Sequence, residues 1–411
     1  MVISILVTLV YFCFFIAIVV AVWLKKPGLG LILAVALAVR LVALAVHLFV
    51  FPLPESQSDA LLFEQRAWEL AQGGTSGILS NFQGFDSYFI SWIYSWIYLV
   101  FGRDVIFLHF LNISLGVGSV WLCWHLASTF YGSRGAASAA WLCALFPTLI
   151  LYSVVTLREA FICFSLLIGL IGVVKWLRYY RWSYLLLVLF GFLFATFFHG
   201  ALIVGLFVFL GLIFIQLISH FRGAFISGHI RLGWVAIFAT AFLFVAFMPD
   251  IQIPKIGAFF GNSSSDLLIE SLGRRFNSNA GAAFPSWLEI TSVDDIISKG
   301  PMRMLYFVFG PFIWDVSSTS LLASFFDGSV SLLLCIGILY NLRGYPQRDS
   351  AVLGVVVILL VYFLVFGLVA DNFGTSYRHR AKFLPILIAL YFGTKRKNRN
   401  IFSSFTRTFI P

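Results

Sequence analysis

Residues 3–50 read ISILVTLVYFCFFIAIVVAVWLKKPGLGLILAVALAVRLVALAVHLFV. Two apolar runs, at about 3–23 and 28–50, flank the pair Lys25-Lys26. Each run is close to the ~20 residues that carry a helix across the hydrocarbon core of a bilayer. Positive loop residues stay on the cytoplasmic side. The first helix therefore runs from outside to inside, and the second returns to the outside.

The remainder of the 411-residue chain repeats this pattern. Hydrophobic residues make up 61% and charged residues 11%, and the mean hydropathy is +0.99. Soluble chains carry roughly 25% charged residues. The apolar runs are continuous and do not alternate, which excludes a β-barrel. Further spans are expected at about 105–130, 136–154, 160–178, 183–199, 201–219, 232–248, 322–342, 350–370 and 381–394. The predicted fold is all-α and polytopic, a single integral membrane domain over 1–411 with about eleven transmembrane helices. Little length remains for a soluble catalytic domain.

The formal net charge is +10. The basic residues are scattered over short loops and form no face that would bind nucleic acid. They report topology instead. The expected cytoplasmic pieces hold Lys25, Lys26, Arg134, Lys175, Arg178, Arg181, Arg222, Arg231, Arg343 and Arg348, with Lys395, Arg396, Lys397, Arg399 and Arg407 in a basic tail over 395–411. Their one acid is Asp349, and the other acids are expected on the outer side. The N-terminus is then outside and the C-terminus inside. The five cysteines lie in apolar runs without metal-ligand spacing.

Two apolar segments are too short or too interrupted to be spans. DSYFISWIYSWIYLVF (86–101) is loaded with aromatics and serines, and MRMLYFVFGPFIWDVSSTS (302–320) is broken at Gly310-Pro311. Both are expected as interfacial or re-entrant pieces on the outer face, where amphipathic aromatics settle. The outer face then carries two substantial loops, 51–104 and 249–320, and the inner face only turns and the tail. Function is expected outside.

The first outer loop contains SDALLFEQRAWELAQGG (58–74), a short amphipathic helix with Ser58 as candidate N-cap and Gly73-Gly74 as its stop. Asp59 opens it as a candidate general base; its plain alternative is helix-dipole compensation. Glu64 and Glu69 read as a solvated face. Arg158 and Glu159 sit in a short turn between two apolar helices, where ionisable residues are expensive and mark function. Tyr377-Arg378-His379-Arg380, followed by Lys382, puts an unusual cationic cluster on the outer side. Arginine forks match phosphate oxygens. Arg40 lies mid-span, His199 ends a span on the outer side, and Arg303, Arg274 and Arg275 lie in the large loop. Asp86 is a reserve base. Carboxylates to deprotonate a hydroxyl, beside cations to stabilise a leaving phosphate, suit glycosyl transfer from a lipid-linked sugar.

These segments together resemble the GT-C superfamily of polytopic glycosyltransferases. SDALLFEQRAWELAQGG resembles its first outer-loop signature. YLVFGRD (98–104) resembles the approach to its next span. HLASTFYGSRGAASAAWLCALFPTLILYSVVTLREAF (125–161) resembles the following hairpin with its second-loop acid, and SYRHRAKFLPILIALYF (376–392) the Arg-rich start of its final span. The resemblance covers residues 55–200 well and 375–392 loosely. It implies an outer-face site with Asp59 and Glu159 as catalytic acids, and Arg378 and Arg380 on the phosphate of a polyprenyl-linked sugar donor; Arg158 and His379 join the phosphate-binding candidates from the residue reading. Asp86, His199, Arg40 and Arg303 are further candidates. It implies a glycan or lipid-linked acceptor with membrane lipid as surroundings. Short loops and compact size favour a bacterial inner membrane with the site facing the periplasm. The resemblance names no cofactor and leaves a divalent metal open. In size and layout the chain also resembles Wzy-type polymerases, which join undecaprenyl-pyrophosphate-linked repeat units. A lipid-linked oligosaccharide flippase is the alternative from a different class.

Overall fold

The computed structural model describes residues 2–131, 133–227, 282–343 and 349–395. Among them every regular element is helical and no strand occurs. The helices are α1 (Val2–Lys25), α2 (Pro27–Phe49), α3 (Asp59–Gln72), α4 (Gly74–Ser80), α5 (Phe89–Phe101), α6 (Val105–Tyr131), α7 (Ser133–Leu145) and α8 (Pro147–Val154). They continue as α9 (Glu159–Tyr179), α10 (Trp182–Phe198), α11 (Val204–Ser227), α12 (Val293–Phe309), α13 (Thr319–Arg343), α14 (Ser350–Val369), α15 (Phe373–Arg380) and α16 (Leu384–Thr394).

Six of these are long and apolar enough to cross a membrane: α1, α2, α6, α9, α13 and α14. A seventh span is formed if α7 and α8 count as one element bent by 58°. The bend has a local cause. Pro147 cannot accept continuation of the preceding helix and pushes Phe146 into extended backbone. Eleven spans are therefore not reached by the described helices. α10 has 17 residues and α16 has 11. α16 starts late because the cationic segment before it forms its own short helix, α15. The span expected at 232–248, residues 249–281 of the loop expected at 249–320 and the tail beyond Lys395 lie outside the described residues, as do Arg231, Arg274, Arg275 and Arg348.

α1 turns Leu6, Val10 and Phe14 outward, and α13 turns Leu333 and Leu339 outward, each side chain about 60% exposed or more. Rows of exposed large apolar side chains on single helices are a lipid-facing surface. Inside, α9 and α10 approach closely through glycine. A Cβ on Gly191 would stand 2.3 Å from the Gly169 nitrogen, and one on Gly172 would stand 2.8 Å from the Val188 nitrogen. Small residues at a helix pair let the backbones meet.

The side-chain contacts sort the chain into two ends. At one end Lys26 lies 4.7 Å over the Trp124 ring, Arg178 pairs with Asp349 at 2.7 Å, and Asn341 donates to the Tyr391 carbonyl at 3.0 Å. At the other, Thr8 donates to Asp104 at 2.7 Å and Asp104 caps α6 through the Ile106 amide. The same end carries α3, α5, the start of α9 and α15. Lys26 and Arg178, both expected on the inner side, lie at the first end.

Both short aromatic segments are short helical pieces. α5 ends at Gly102, whose φ of +83° is left-handed. α12 ends at Phe309, before Gly310-Pro311, and one 3-10 turn follows over Ile313–Asp315. α3 begins and ends where the sequence places it, with Gly74 at φ +66°. It buries Ala60, Phe63, Ala67 and Ala71 against α5.

Candidate functional site

At the second end three separate segments meet on one guanidinium. Arg378 of α15 donates from Nε to Glu159 Oε1 at 2.8 Å and from Nη1 to Asp59 Oδ2 at 2.5 Å. Lys382 Nζ is 3.6 Å from the same Glu159 oxygen. Glu159 and Lys382 are fully buried, Arg378 is 10% exposed, and Asp59 is 47% exposed. The cluster is therefore closed at Glu159 and open at Asp59. Local folding explains the placement: Glu159 opens α9, where an acid suits the positive helix end, and Asp59 does the same for α3.

Arg158, one residue earlier, is 6% exposed and donates from Nη1 to the Phe198 carbonyl at 2.8 Å. Its Nε has no hydrogen-bond partner, and it makes no salt bridge with a described acid. A buried guanidinium with donors to spare is expensive unless an anion completes it. The described charges acting on it are one cation, Arg378, and three acids, Glu159, Asp59 and Asp86, none of which forms an ion pair with it.

His379 is buried, and its Nδ1 lies 2.6 Å from Lys382 Nζ. Burial, and then the neighbouring Lys382 ammonium, hold it well below the ordinary histidine value. An ammonium can only donate, so His379 accepts at Nδ1 from Lys382. His199 packs at 5.1 Å from its ring and 4.8 Å from Phe366. For Arg378 burial opposes the charge, but Glu159 and Asp59 outweigh it and raise its value.

Other candidates have structural partners. Arg380 is fully buried, ion-paired through Nε to Asp327 of α13, and donates to the carbonyls of Phe307, Val308, Gly310 and Ser324. Its partners are protein groups of α12, α13 and the turn between them. Arg303 likewise donates to the carbonyls of Leu288, Gly367, Leu368 and Ala370. Asp86 accepts from the Tyr88 amide at 2.7 Å and opens α5. Arg40 is buried deep in the bundle, bonded to Ser153 Oγ at 2.8 Å and to the carbonyls of Ala36 and Ala144. A cavity of about 20 Å³, room for about one water, separates Arg40 from Tyr152 and Glu159.

One acid departs from its expected setting. Glu64 is not on a solvated face: it is 4% exposed and accepts from Tyr98 at 2.8 Å and from Arg103 at 2.9 and 2.8 Å. Asp327, which carries no motif in the sequence, is fully buried inside α13, where Thr148 also donates to it at 2.9 Å. Ser58 holds the N-cap position of α3 without a side-chain cap bond; its hydroxyl donates to the Glu55 carbonyl at 3.3 Å.

Glu55 and Tyr152 went unnoticed in the sequence. Glu55 precedes α3 with φ +66° and is half-buried. Burial raises its carboxyl above the ordinary glutamate value, Arg378 opposes that, and Asp59 and Glu159 add to it. Tyr152 is 3% exposed and its hydroxyl has no partner. Among the described residues no group of three His, Cys, Asp or Glu side chains gathers as metal ligands. No protein-family model matches the chain, and no curated protein matches it.

Proposed function

We propose that the chain is a membrane glycosyltransferase working on the outer face. It transfers a sugar or oligosaccharide from a polyprenyl-phosphate or pyrophosphate donor to a cell-envelope glycan or lipid-linked acceptor. The observation that carries this reading is the meeting of Asp59, Glu159 and Arg378 at one end of the bundle, beside a buried Arg158 that lacks an acid. Arg158, with Arg378 beside it, holds the donor phosphate, and their charge stabilises the phosphate as it leaves. A carboxylate of the cluster, Asp59 in the sequence reading, takes the proton of the acceptor hydroxyl. Glu159, closed off by Arg378 and Lys382, fixes both cations in position.

The bilayer delivers the hydrophobic donor laterally, and the aromatic composition of α5 suits contact with a polyprenyl chain. A bacterial inner membrane with the site toward the periplasm fits the loop charges. Polymerisation of lipid-linked repeat units is the same chemistry with a longer acceptor. A flippase is less well supported, because the unpaired cationic capacity gathers at one end instead of along a path through the bundle. The test is turnover. Purified protein incubated with lipid-linked glycans from host membranes should give a new glycosylated product, and Arg158→Gln should weaken donor use. Normal donor use by that variant contradicts the phosphate role.

A further inference from the structure

Arg158 is enclosed by protein. Residues 152–163 are buried throughout, and Arg158 keeps only 6% exposure. Its guanidinium donates to the Phe198 carbonyl at 2.8 Å, while its Nε has no partner. An anion that completes it has to pass the side chains packed around Phe198.

Those side chains form a path. Trp182, Leu186, Phe190, Phe194 and Phe198 are an i, i+4 row on α10, in which each neighbours the next. The first three are more than half exposed, Phe194 is half-buried and Phe198 is buried. An exposed apolar row on an apolar helix faces lipid. The Phe190 and Phe194 rings stack at 5.6 Å, and the Phe194 ring meets Phe198 at 5.2 Å. At 1.5 Å of rise per residue, Phe190 lies about 12 Å along the helix from Phe198. The row therefore leads from a lipid-facing position to the residue whose carbonyl holds the buried guanidinium.

Aromatic side chains from the start of α5 and the loop before it cover the end of the row. Phe85 stacks on Phe197, with ring centroids 4.0 Å apart and planes at 17°. Phe89 lies 5.6 Å from Phe197 and 5.3 Å from Phe198. Phe82 lies 5.5 Å from Phe85, and the two are 39% and 40% exposed. Phe85 belongs to the loop between α4 and α5 and follows Gly84, whose φ of +88° is left-handed. A loop, and not the packed bundle, thus carries the outer ring of the stack.

We propose that the seam between Phe85 and Phe197 is a lateral portal for a polyisoprenyl phosphate. The chain lies along the Phe190, Phe194 and Phe198 row, and the phosphate reaches Arg158. Two features select this amphiphile. The row is apolar along its length, and it ends at a cation with a donor to spare. A free sugar phosphate has no surface to bury on the row, and a neutral lipid leaves the guanidinium incomplete. One row suits one chain, not the two of a phospholipid. The Phe85–Phe197 stack closes the portal, and movement of the loop opens it. The identity of the occupant rests on the proposed glycosyl transfer, but binding is read without turnover.

The experiment uses the full chain in phosphatidylcholine nanodiscs. The probe is farnesyl phosphate with a diazirine at the tail end, and adducts are mapped by peptide mass spectrometry. Adducts should gather at 186–198 and 82–92. Excess of a longer polyprenyl phosphate should remove them, and excess farnesol or phosphatidylglycerol should not. Arg158→Gln should weaken labelling about 10- to 100-fold at an unchanged melting temperature. Phe85→Ala and Phe85→Leu should both speed labelling, because the closing stack loses a ring. Adducts spread equally over α1 and α13, or labelling unmoved by Arg158→Gln, overturn the portal. Displacement by phosphatidylglycerol overturns the polyisoprenyl assignment. Portal labelling by a protein that forms no glycosylated product removes the transfer and keeps the portal. Product without adducts on α10 removes the portal alone.

Discussion

Arg378 and Glu159 lie 219 residues apart in the chain, yet the guanidinium Nε is 2.8 Å from the carboxylate. The pair joins the start of α9 to α15 and fixes the end of the bundle where Asp59 also arrives. Removing one partner of a buried pair leaves the other charge uncompensated, which costs about 3–5 kcal/mol. Glu159→Gln should therefore lower the thermal stability of the detergent-solubilised protein sharply, and Glu159→Asp less so. An unchanged melting temperature for Glu159→Gln would show that the pair does not hold the fold.

Arg380 and Asp327 form a second buried pair, with both side chains at 0% exposure. Its surroundings are backbone carbonyls of α12 and α13 and the turn between them, so its role is structural. Asp327→Asn should destabilise by a similar amount. Once folded at low temperature, the variant should use donor with a normal KM. A raised KM would move Arg380 into the donor site.

Arg158 predicts the opposite pattern. It makes one hydrogen bond to the Phe198 carbonyl and no ion pair with a described acid. Arg158→Gln should leave the melting temperature nearly unchanged. A hydrogen bond to a charged group contributes about 1.5–3 kcal/mol, so donor affinity should fall roughly 10- to 100-fold. Retained affinity would remove Arg158 from phosphate binding.

The α9–α10 contact is limited by glycine. A Cβ on Gly191 would stand 2.3 and 2.5 Å from the Gly169 nitrogen and Cα, both backbone atoms that cannot turn aside. Gly191→Ala should cost about 1–3 kcal/mol through overpacking, measured by thermal unfolding. Gly211→Ala, with open space at its Cβ position, is the matched control and should be neutral.

Sidedness can be tested at two exposed positions in a background lacking native cysteines. Thr75→Cys in α4 should react with an impermeant thiol reagent on intact cells. Arg181→Cys, before α10, should react only after permeabilisation. The reverse pattern would invert the topology.

Much of this was legible in the sequence, because composition and periodicity are read one segment at a time. The amphipathic helix at Asp59–Gln72, the short aromatic α5 and the break at Gly310-Pro311 all follow from local pattern. The count of spans was less legible. Pro147 bends one span into two pieces, and α15 removes a turn from the start of the last, which hydropathy alone does not register. Glu64 was misread because helical spacing says which face it shares but not that Arg103, 39 residues on, covers that face. Asp327 passed unnoticed within an apolar run, where its partner Arg380 is 53 residues away. Whether Asp59, Glu159 and Arg378 converge is not written in the sequence, and only the packing of α3, α9 and α15 brings it about. Glu55 had no motif to mark it; a left-handed backbone is invisible in a glutamate's name.

The most direct measurement is product formation by the purified wild-type protein in nanodiscs, using lipid-linked glycans from host membranes and mass spectrometry of both glycan and lipid. Glycosyl transfer predicts a glycan gain in the acceptor matched by released polyprenyl phosphate or pyrophosphate. Repeat-unit spacing of the products would mark polymerisation, and a single increment would mark one-step transfer. Donor that stays chemically intact while moving between leaflets would contradict glycosyl transfer and establish a transporter.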